Sequence, residues 1–204
     1  MGIVAKEKTG LPPINEGTYQ AVCYRLYDLG SQFSEKWGKT AHQVLIIWEI
    51  QEARIEIEKD GVKVDLPRVV SKKYTLSLNE KAVLRRDLQS WRGRNFTQDE
   101  LNSFDITKLL GVNCMMQIIH NSKDGKTYAN IASIMPLYKG MKKLEPENVA
   151  TFFSMQDNMD IPADTPDWIK ELIEGSAEWQ GRYPAEEGRD LPPVDLGGMD
   201  EVPF

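Results

Sequence analysis

Five stretches of the chain have strand patterns, and a helical stretch separates the third from the fourth. The strand patterns cover residues 18–30, 42–58, 68–78, 112–120 and 127–137. In the third stretch apolar and polar side chains alternate, which indicates a strand with one buried face and one wet face. An Asp-Gly pair joins the last two stretches and is typical of a β-hairpin turn. The chain therefore predicts a mainly β fold.

The helical stretch begins after the third strand. Asn79 can cap a helix that runs to about Arg92, and Leu84, Leu88 and Trp91 share one apolar face of that helix. We expect this face to pack against the sheet and to bury Trp91. In the alternative, Trp91 contacts a base.

Two further helical signals follow before the fourth strand. The stretch "TQDE" at 97–100 fits a capping box, and "DITKLLG" at 105–111 predicts another helical turn. Three strands, a helical connection and two strands is the element order of an OB-fold, a closed five-stranded barrel that binds oligonucleotides. We therefore predict a five-stranded OB-fold barrel in residues 1–143, with its helical connection between strands 3 and 4.

The pattern weakens after the predicted barrel. We interpret residues 144–179 as a linker with one short amphipathic helix at 164–175, capped by Thr165 and stopped by Gly175. The apolar stripe of this helix must pack either on the barrel or on a partner. In residues 180–204, Pro, Gly and acidic residues dominate, and we predict a disordered acidic tail that ends in a phenylalanine.

Charge is divided unevenly along the chain. Residues 1–143 carry 22 lysines and arginines against 16 acidic residues, a net charge of +6. Residues 144–204 carry 3 against 15, a net charge of -12. A basic body suits a polyanionic partner, and an acidic tail tethered to that body can compete for the same surface.

Several classes of protein are disfavoured by the sequence. No apolar run approaches the roughly 18 residues of a membrane span, and the N-terminus lacks a basic segment leading into an apolar stretch. Cys23 and Cys114 both lie in apolar stretches, which suits a reducing compartment. We expect a cytoplasmic protein with no membrane partner.

Enzyme and cofactor signals are weak. The soft metal ligands do not have metal-binding spacing; they are Cys23, His42, Cys114 and His120. Four glutamates of the second strand can in principle hold Mg²⁺, but their spacing more simply marks the solvent side of a strand; they are Glu49, Glu52, Glu56 and Glu58. We predict no catalytic residue, no metal and no cofactor.

The loop between the first two strands combines aromatic and basic residues. Phe33 and Trp37 lie there beside Lys36 and Lys39. Aromatic rings stack on bases whatever the sequence, and ammonium groups follow the phosphates, so these four residues are candidates for single-strand binding. In the alternative, both rings tuck under the loop as a minor core.

The third strand and the helix after it add basic candidates. Lys73 belongs to the wet face of the strand and is a candidate contact, whereas Lys72 belongs to the apolar face with Tyr74. Arg92 and Arg94, at the end of the helix, form either a phosphate-binding patch or a solvated surface.

The second hairpin offers three more candidates. Lys123 and Lys126 flank its tip, and Tyr128 begins the following strand. Loops at this position of an OB-fold bind nucleic acid. Tyr128 either stacks on a base or packs against a neighbouring strand.

The last residues, "MDEVPF", resemble the C-terminal tip of bacterial single-stranded DNA-binding proteins, in which acidic residues precede Ile-Pro-Phe. The resemblance implies that the tip docks replication and repair proteins. The phenylalanine would enter an apolar pocket while basic residues of the partner hold the carboxylates. The implied partner-binding residues are Asp200, Glu201, Val202, Pro203 and Phe204.

The body does not look like the bacterial protein. It resembles a phage-encoded family of OB-fold single-stranded DNA-binding proteins over about residues 15–140, through "SWRGR", "DITKLLG" and "KDGKTYANI". This resemblance implies sequence-nonspecific binding and protection of single-stranded DNA in phage replication and recombination. It leaves open whether double-stranded DNA is also bound and whether the protein self-associates.

Two alternative functions come from other classes. One is an interaction module whose acidic tail mimics DNA and acts on a DNA-handling enzyme. The other is a metal-dependent nuclease that uses the carboxylates of the second strand. A basic body with an acidic tail favours simple DNA binding over both.

Overall fold

A computed structural model of the protein describes residues 11–35, 38–59, 61–123, 125–157 and 160–181. The strands are β1 (Gly17–Ser34), β2 (Lys39–Lys59), β3 (Val62–Thr75), β4 (Asn113–Lys123), β5 (Lys126–Pro136) and β6 (Thr151–Phe153). The helices are α1 (Val83–Arg92), α2 (Gln98–Asn102), a 3-10 helix (Ile106–Leu109) and α3 (Asp167–Glu174). The predicted mainly β class is confirmed.

The strands form one sheet in the order β3-β2-β1-β4-β5, and all pairs along this path are antiparallel. The sixth strand, β6, was not predicted, and it pairs in parallel with β1 at Arg25, Leu26 and Tyr27. In the described part of the chain β3 and β5 are not paired, so the sheet is open. The predicted closure into a barrel is not confirmed.

One face of the sheet, which we call the inner face, packs against α1. Leu84, Leu88 and Trp91 of the helix are buried with Trp48 of β2, and the two indole rings lie 5.6 Å apart. The indole nitrogen of Trp91 donates to the carbonyl of Asn113, 3.0 Å away. The predicted apolar face of the helix, with a buried Trp91, is confirmed.

Helix α1 also connects the two edge strands. Asp87 accepts a hydrogen bond from Tyr74 of β3 and forms a 3.1 Å ion pair with Lys72 of the same strand. Ser90 donates to the carbonyl of Ile134 in β5, 2.6 Å away. The helix therefore bridges the gap that strand pairing leaves open between β3 and β5.

Helix α1 begins later than the sequence predicted. Asn79 does not cap it: the carbonyl of Asn79 accepts from the amide of Ala82, and its side chain accepts from the amide of Lys81. These bonds form a turn of their own, and the helix starts at Val83. The capping box of α2 is confirmed, because the side chains of Thr97 and Glu100 each accept from the other residue's backbone amide.

The opposite face of β1 and β2, which we call the outer face, is covered by the C-terminal part of the chain. Tyr27, Leu45 and Ile47 of the sheet are buried there with Ile169 and Ile173 of α3. Of the two possibilities that the sequence left open for the apolar stripe of this helix, the structure shows packing on the sheet. We call residues 144–181 the cover segment.

The start of α3 also differs from the prediction. Thr165 is buried and donates its hydroxyl to the phenol oxygen of Tyr27, 3.3 Å away, instead of capping the helix. The helix begins at Asp167, and Pro166 takes the capping position. Among the described residues no helix is long and apolar enough to cross a membrane.

Most of the acidic charge of the C-terminal region lies on the cover segment. Residues 144–181 contain nine acidic residues and one lysine, a net charge of -8. Residues 182–204 carry the remaining -4 and lie outside the described residues, as does most of the predicted disordered tail. A large share of the acidic charge is therefore held against the sheet.

Candidate nucleic-acid interface

The hairpin that joins β1 to β2 presents an aromatic ring and a lysine together. Phe33 is 65% exposed and lies opposite Thr40, and Lys39 is exposed opposite Ser34. Phe33 is thus available for stacking and does not form a minor core under the loop. Lys36 and Trp37, the other two candidates of this loop, lie outside the described residues.

The two lysines of β3 lie on opposite faces of the sheet. Lys72 is buried on the inner face, as the strand phase predicted, and it pairs with Asp87. Lys73 is half-buried and lies opposite Leu45 of β2, which belongs to the outer face. Lys73 therefore lies at the β3 margin of the surface that the cover segment occupies.

The arginines after α1 are engaged by one carboxylate. The side chain of Arg92 is only 15% exposed, is paired with Glu100 and stacks over the rings of Phe96 and Phe104, 4.4 and 5.3 Å from their centroids. Arg94 is 56% exposed and holds both oxygens of Glu100, at 3.0 and 2.7 Å. The predicted exposed patch is wrong for Arg92, because Glu100 and two rings cover it.

The two arginines change the ionisation of Glu100. Hydrogen bonds from Arg94 and from the amide of Thr97 lower the pKa of Glu100 to about 2. The carboxylate is therefore ionised at neutral pH and offsets one of the two arginine charges. A phosphate that approached Arg94 would have to displace or share this carboxylate.

The β4–β5 hairpin carries the remaining candidates. Lys123 lies opposite Lys126 at its tip, and both are exposed. Tyr128 is half-buried and lies opposite Asn121. The hairpin is confirmed, and the two lysines flank its tip.

The two hairpins lie at opposite ends of β1. Gly17, the first residue of β1, pairs with Ile118 on the way to the β4–β5 tip, whereas Phe33 lies at the other end of the strand. The outer face of β1 and β2 between these ends is under the cover segment. The structure therefore brings the candidates together in two groups and not in one continuous patch.

A cleft of about 230 Å³ lies beside the first hairpin, between β1, β2, β6 and the 3-10 helix. Asp28, His42 and Asp105 line it together with the rings of Phe104 and Phe152. Although burial opposes the shift, the hydrogen bond and the charge of His42 hold the pKa of Asp28 below its ordinary value. The hydrogen bond of the Thr107 hydroxyl likewise lowers the pKa of Asp105. Two ionised carboxylates make the cleft unsuitable for phosphate.

His42 also fastens the cover segment to the sheet. Its ring nitrogens lie 2.6 Å from Asp28 and 3.6 Å from Glu178. Glu178 in turn accepts from the backbone amide of Ser31, 2.6 Å away. We call Asp28, His42 and Glu178 the histidine clamp. No sequence pattern pointed to it, because Glu178 is far along the chain from the other two members.

Glycine is required where this clamp meets β1. Gly30 has a φ of +65°, and a Cβ there would lie 2.7 Å from both the Glu178 carboxylate and the Cβ of Ser176. Both the backbone conformation and the close approach therefore exclude a side chain.

A second polar contact fastens the start of the cover segment. Glu49, predicted on the solvent side of β2, has no exposed surface. Its carboxylate accepts from the amides of Glu147 and Asn148, at 2.8 and 3.0 Å, and from the Asn148 side chain at 2.6 Å. The prediction was wrong for Glu49, because residues far along the chain cover that position.

Two further predictions concern metal binding and the C-terminal tip. Within the described ranges, no group of three or more His, Cys, Asp or Glu side chains is placed to hold a metal ion. Asp200, Glu201, Val202, Pro203 and Phe204 lie outside the described residues.

Comparisons with known proteins place no further constraint on this interface. Neither family profiles, nor curated proteins, nor solved structures give a match to the chain.

Proposed function

We propose that this protein binds single-stranded DNA without sequence preference and protects it during replication or recombination. The observation that carries the proposal is the β1–β2 hairpin, where Phe33 is 65% exposed next to the exposed Lys39. A free aromatic ring beside an ammonium group is the basic unit of sequence-tolerant single-strand binding.

The proposal includes an OB-fold. The path β3-β2-β1-β4-β5 is the strand path of that fold, with the helical connection in the expected place between β3 and β4. The β3–β5 pairing that would close the barrel is replaced by α1, which contacts both edge strands.

The position of the cover segment limits the DNA path. Its net charge of -8 lies over the outer face of β1 and β2, so phosphates are repelled from the middle of that surface. We assign base stacking to Phe33, Trp37 and Tyr128. We assign phosphate contacts to Lys36, Lys39, Lys73, Arg94, Lys123 and Lys126. The strand would then contact the two hairpins and the β3 margin.

Titration with oligo-dT at low salt tests the proposal. Binding should change the tryptophan fluorescence, and its affinity should fall by about 0.7 log units per log unit of salt for each phosphate neutralised. Phe33→Ala should cost about 1–3 kcal/mol of binding, or roughly 5- to 150-fold in affinity. Val149→Ala, which removes a side chain that is 77% exposed on the cover segment, is the matched control. No fluorescence change and no binding in a gel shift would refute the proposal.

We further propose that the residues after Gly181 recruit partner proteins and weaken DNA binding. Truncation after Gly181 keeps the histidine clamp and should strengthen DNA binding, most visibly at low ionic strength where screening is least. Phe204→Ala should cost partner binding and leave the affinity for oligo-dT unchanged. If truncation leaves the DNA affinity unchanged, the inhibitory role is excluded and recruitment stands alone.

One observation favours a second candidate function. The cover segment holds nine acidic residues on a folded surface, as a protein that mimics DNA would. Such a module would bind no oligonucleotide and would copurify with a DNA-handling enzyme. The gel shift that tests single-strand binding therefore separates the two candidates.

A further inference from the structure

The far end of the β2–β3 hairpin carries an apolar strip that packs on neither core. We call residues 54–67 the arm. Ile55 lies opposite Leu66, and Ile57 lies opposite Val64, so these four side chains share one face of the ribbon. None of them belongs to the apolar cluster of the inner face or of the outer face in the described residues.

The arm also has an open edge. β3 is the last strand of the sheet, and in the part of the chain that the structure describes its outer edge pairs with no other strand. An isolated two-stranded ribbon is marginally stable in water, and an exposed apolar edge is a site for pairing with another strand. As far as the structure describes the chain, the arm therefore lacks both a strand partner for its edge and a packing partner for its apolar strip.

The charge of the arm disfavours DNA as the occupant. Residues 54–67 contain three basic and four acidic residues, a net charge of -1, in contrast to the +6 of residues 1–143 as a whole. An apolar strip with slightly acidic flanks attracts no polyanion. The occupant that it suits is another β-strand of matching pattern.

We propose that the arm pairs with the arm of a second copy of this chain, β3 against β3, in an antiparallel arrangement with a two-fold axis at Val64. In that register Val64 lies opposite the partner subunit's Val64, and Val62 lies opposite the partner subunit's Leu66. On the other face of the ribbon, Lys63 lies opposite Asp65 of the partner subunit. The two ribbons form one four-stranded sheet whose apolar strips are continuous.

The charges select this register over its neighbours. An axis at Lys63 would place two lysines directly opposite each other, and an axis at Asp65 would place two aspartates opposite each other. An axis between residues would set Lys63 against Val64 on one face, which mixes polar and apolar side chains. Of these registers, only the axis at Val64 pairs apolar side chains with each other on one face and opposite charges on the other.

The present contacts of these charges do not block the pairing. Lys63 lies 3.5 Å from Glu56, and Asp65 lies 3.0 Å from Arg54. Both are exposed ion pairs, which contribute little to stability and exchange easily. Lysine and proline commonly protect edge strands, but here the lysine meets an acid of the partner subunit, and Pro67 only ends the paired length.

The oligomeric state of the full chain, measured without DNA, tests the proposal. Sedimentation or light scattering should show a dimer whose population rises with protein concentration. Val64→Asp should convert it to a monomer with an unchanged circular dichroism spectrum, whereas Val149→Asp, on an exposed residue outside the arm, should not. A wild-type monomer at every concentration, or a Val64→Asp dimer, overturns the proposal.

A disulfide across the axis tests the register. The two native cysteines, Cys23 and Cys114, are fully buried, and burial raises the pKa of both thiols, so they do not compete for oxidation. Val64→Cys should form an intermolecular disulfide under mild oxidation. Glu58→Cys, on the inner strand of the arm, should remain reduced. Equal crosslinking at both positions, or crosslinking at neither, overturns the register.

A charge exchange gives a third readout. Lys63→Asp or Asp65→Lys alone should weaken dimerisation roughly tenfold, because two symmetry-related pairs change from attraction to repulsion. The double variant should restore it. A double variant as weak as either single variant contradicts the proposed pairing. Since no DNA is present, the result is independent of the proposed DNA binding.

Discussion

The inner and outer faces of the sheet are both covered, but by parts of the chain that differ in origin and chemistry. The inner face is covered by α1, which follows β3 closely in the chain, and 20 buried apolar residues form its cluster among the described residues. The outer face is covered by the C-terminal segment, and its cluster has eight. The inner face is therefore the principal core.

The outer face depends more on polar contacts. Glu49 and the histidine clamp fasten the cover segment, and Arg25 donates to Tyr27 and pairs with Asp164. Hydrogen bonds to ionised groups contribute about 1.5–3 kcal/mol each and depend on pH, whereas apolar burial does not. We therefore expect the inner face to resist local unfolding and the cover segment to open locally.

The largest effect should come from the inner face. Trp91→Ala removes the ring packed on Trp48 and the hydrogen bond to Asn113, and should lower the free energy of unfolding by about 3–5 kcal/mol. Urea denaturation measures this cost. Phe33→Ala, at an exposed ring, should change it by less than about 0.5 kcal/mol.

Ile169→Ala should show the difference between the faces most directly. Ile169 is fully buried on the outer face, and its truncation should cost about 2–4 kcal/mol. Hydrogen exchange should speed up in β6 and α3 while the amides of α1 keep their protection. Equal loss of protection in α1 would show that the two faces unfold as one unit.

Glu49→Gln should have a smaller effect. The amide replaces one of the two carboxylate oxygens that accept from the backbone of Glu147 and Asn148, so the free energy of unfolding should fall by about 1–3 kcal/mol. Glu52→Gln, at an exposed position of the same strand, is the matched control. An equal change in both variants would contradict the role given to Glu49.

The smallest effect should be the pH dependence of the histidine clamp. Although burial opposes each shift, the contacts raise the pKa of His42 and lower those of Asp28 and Glu178. The stability from His42 is present below its ordinary pKa of 6.5 and is lost as pH rises. The stability from the carboxylates is present above their ordinary values of 3.8 and 4.5 and is lost as pH falls.

The histidine clamp should therefore hold the cover segment most firmly between about pH 5 and 6. The amplitude should be about 1 kcal/mol or less, because the ring of His42 is partly exposed. Hydrogen exchange of α3 as a function of pH measures it. In His42→Gln the protection of α3 should no longer fall as pH rises. If it falls as in the wild type, His42 is not the source of this pH dependence.

The inner face could be predicted from the sequence because its signals are local and periodic. Trp48 and Tyr74 are buried in phase with their strands, and Leu84, Leu88 and Trp91 follow the helical period. Five strands and the hairpin turn between β4 and β5 were predicted for the same reason.

The outer face could not be predicted, because nothing local marks it. β6 has only three residues, which is too short for a period, and its partner β1 is more than a hundred residues away in the chain. Glu49 alternates like a solvent-facing residue, and only its tertiary contacts show that it is buried.

The positions of the candidate binding residues could be predicted only in part, for the same reason. The exposed position of Lys39 follows from the local hairpin, but the exposure of Phe33 could not be decided in advance from the sequence. The capping box identified Glu100 as an N-terminal residue of α2, but its reach to Arg92 depends on the packing of Phe96 and Phe104. Local patterns place side chains on elements, and the tertiary fold decides which of them remain available.

The parallel pairing of β6 with β1 has a consequence during synthesis of the chain. β1 and β2 leave the ribosome early, whereas Phe153, Ile169 and Ile173 leave it late. Until then the nascent sheet exposes Tyr27, Leu45 and Ile47 with no partner. We expect folding of the outer face to be slow, since it requires a contact between distant parts of the chain, and we expect stalled chains to be substrates for chaperones.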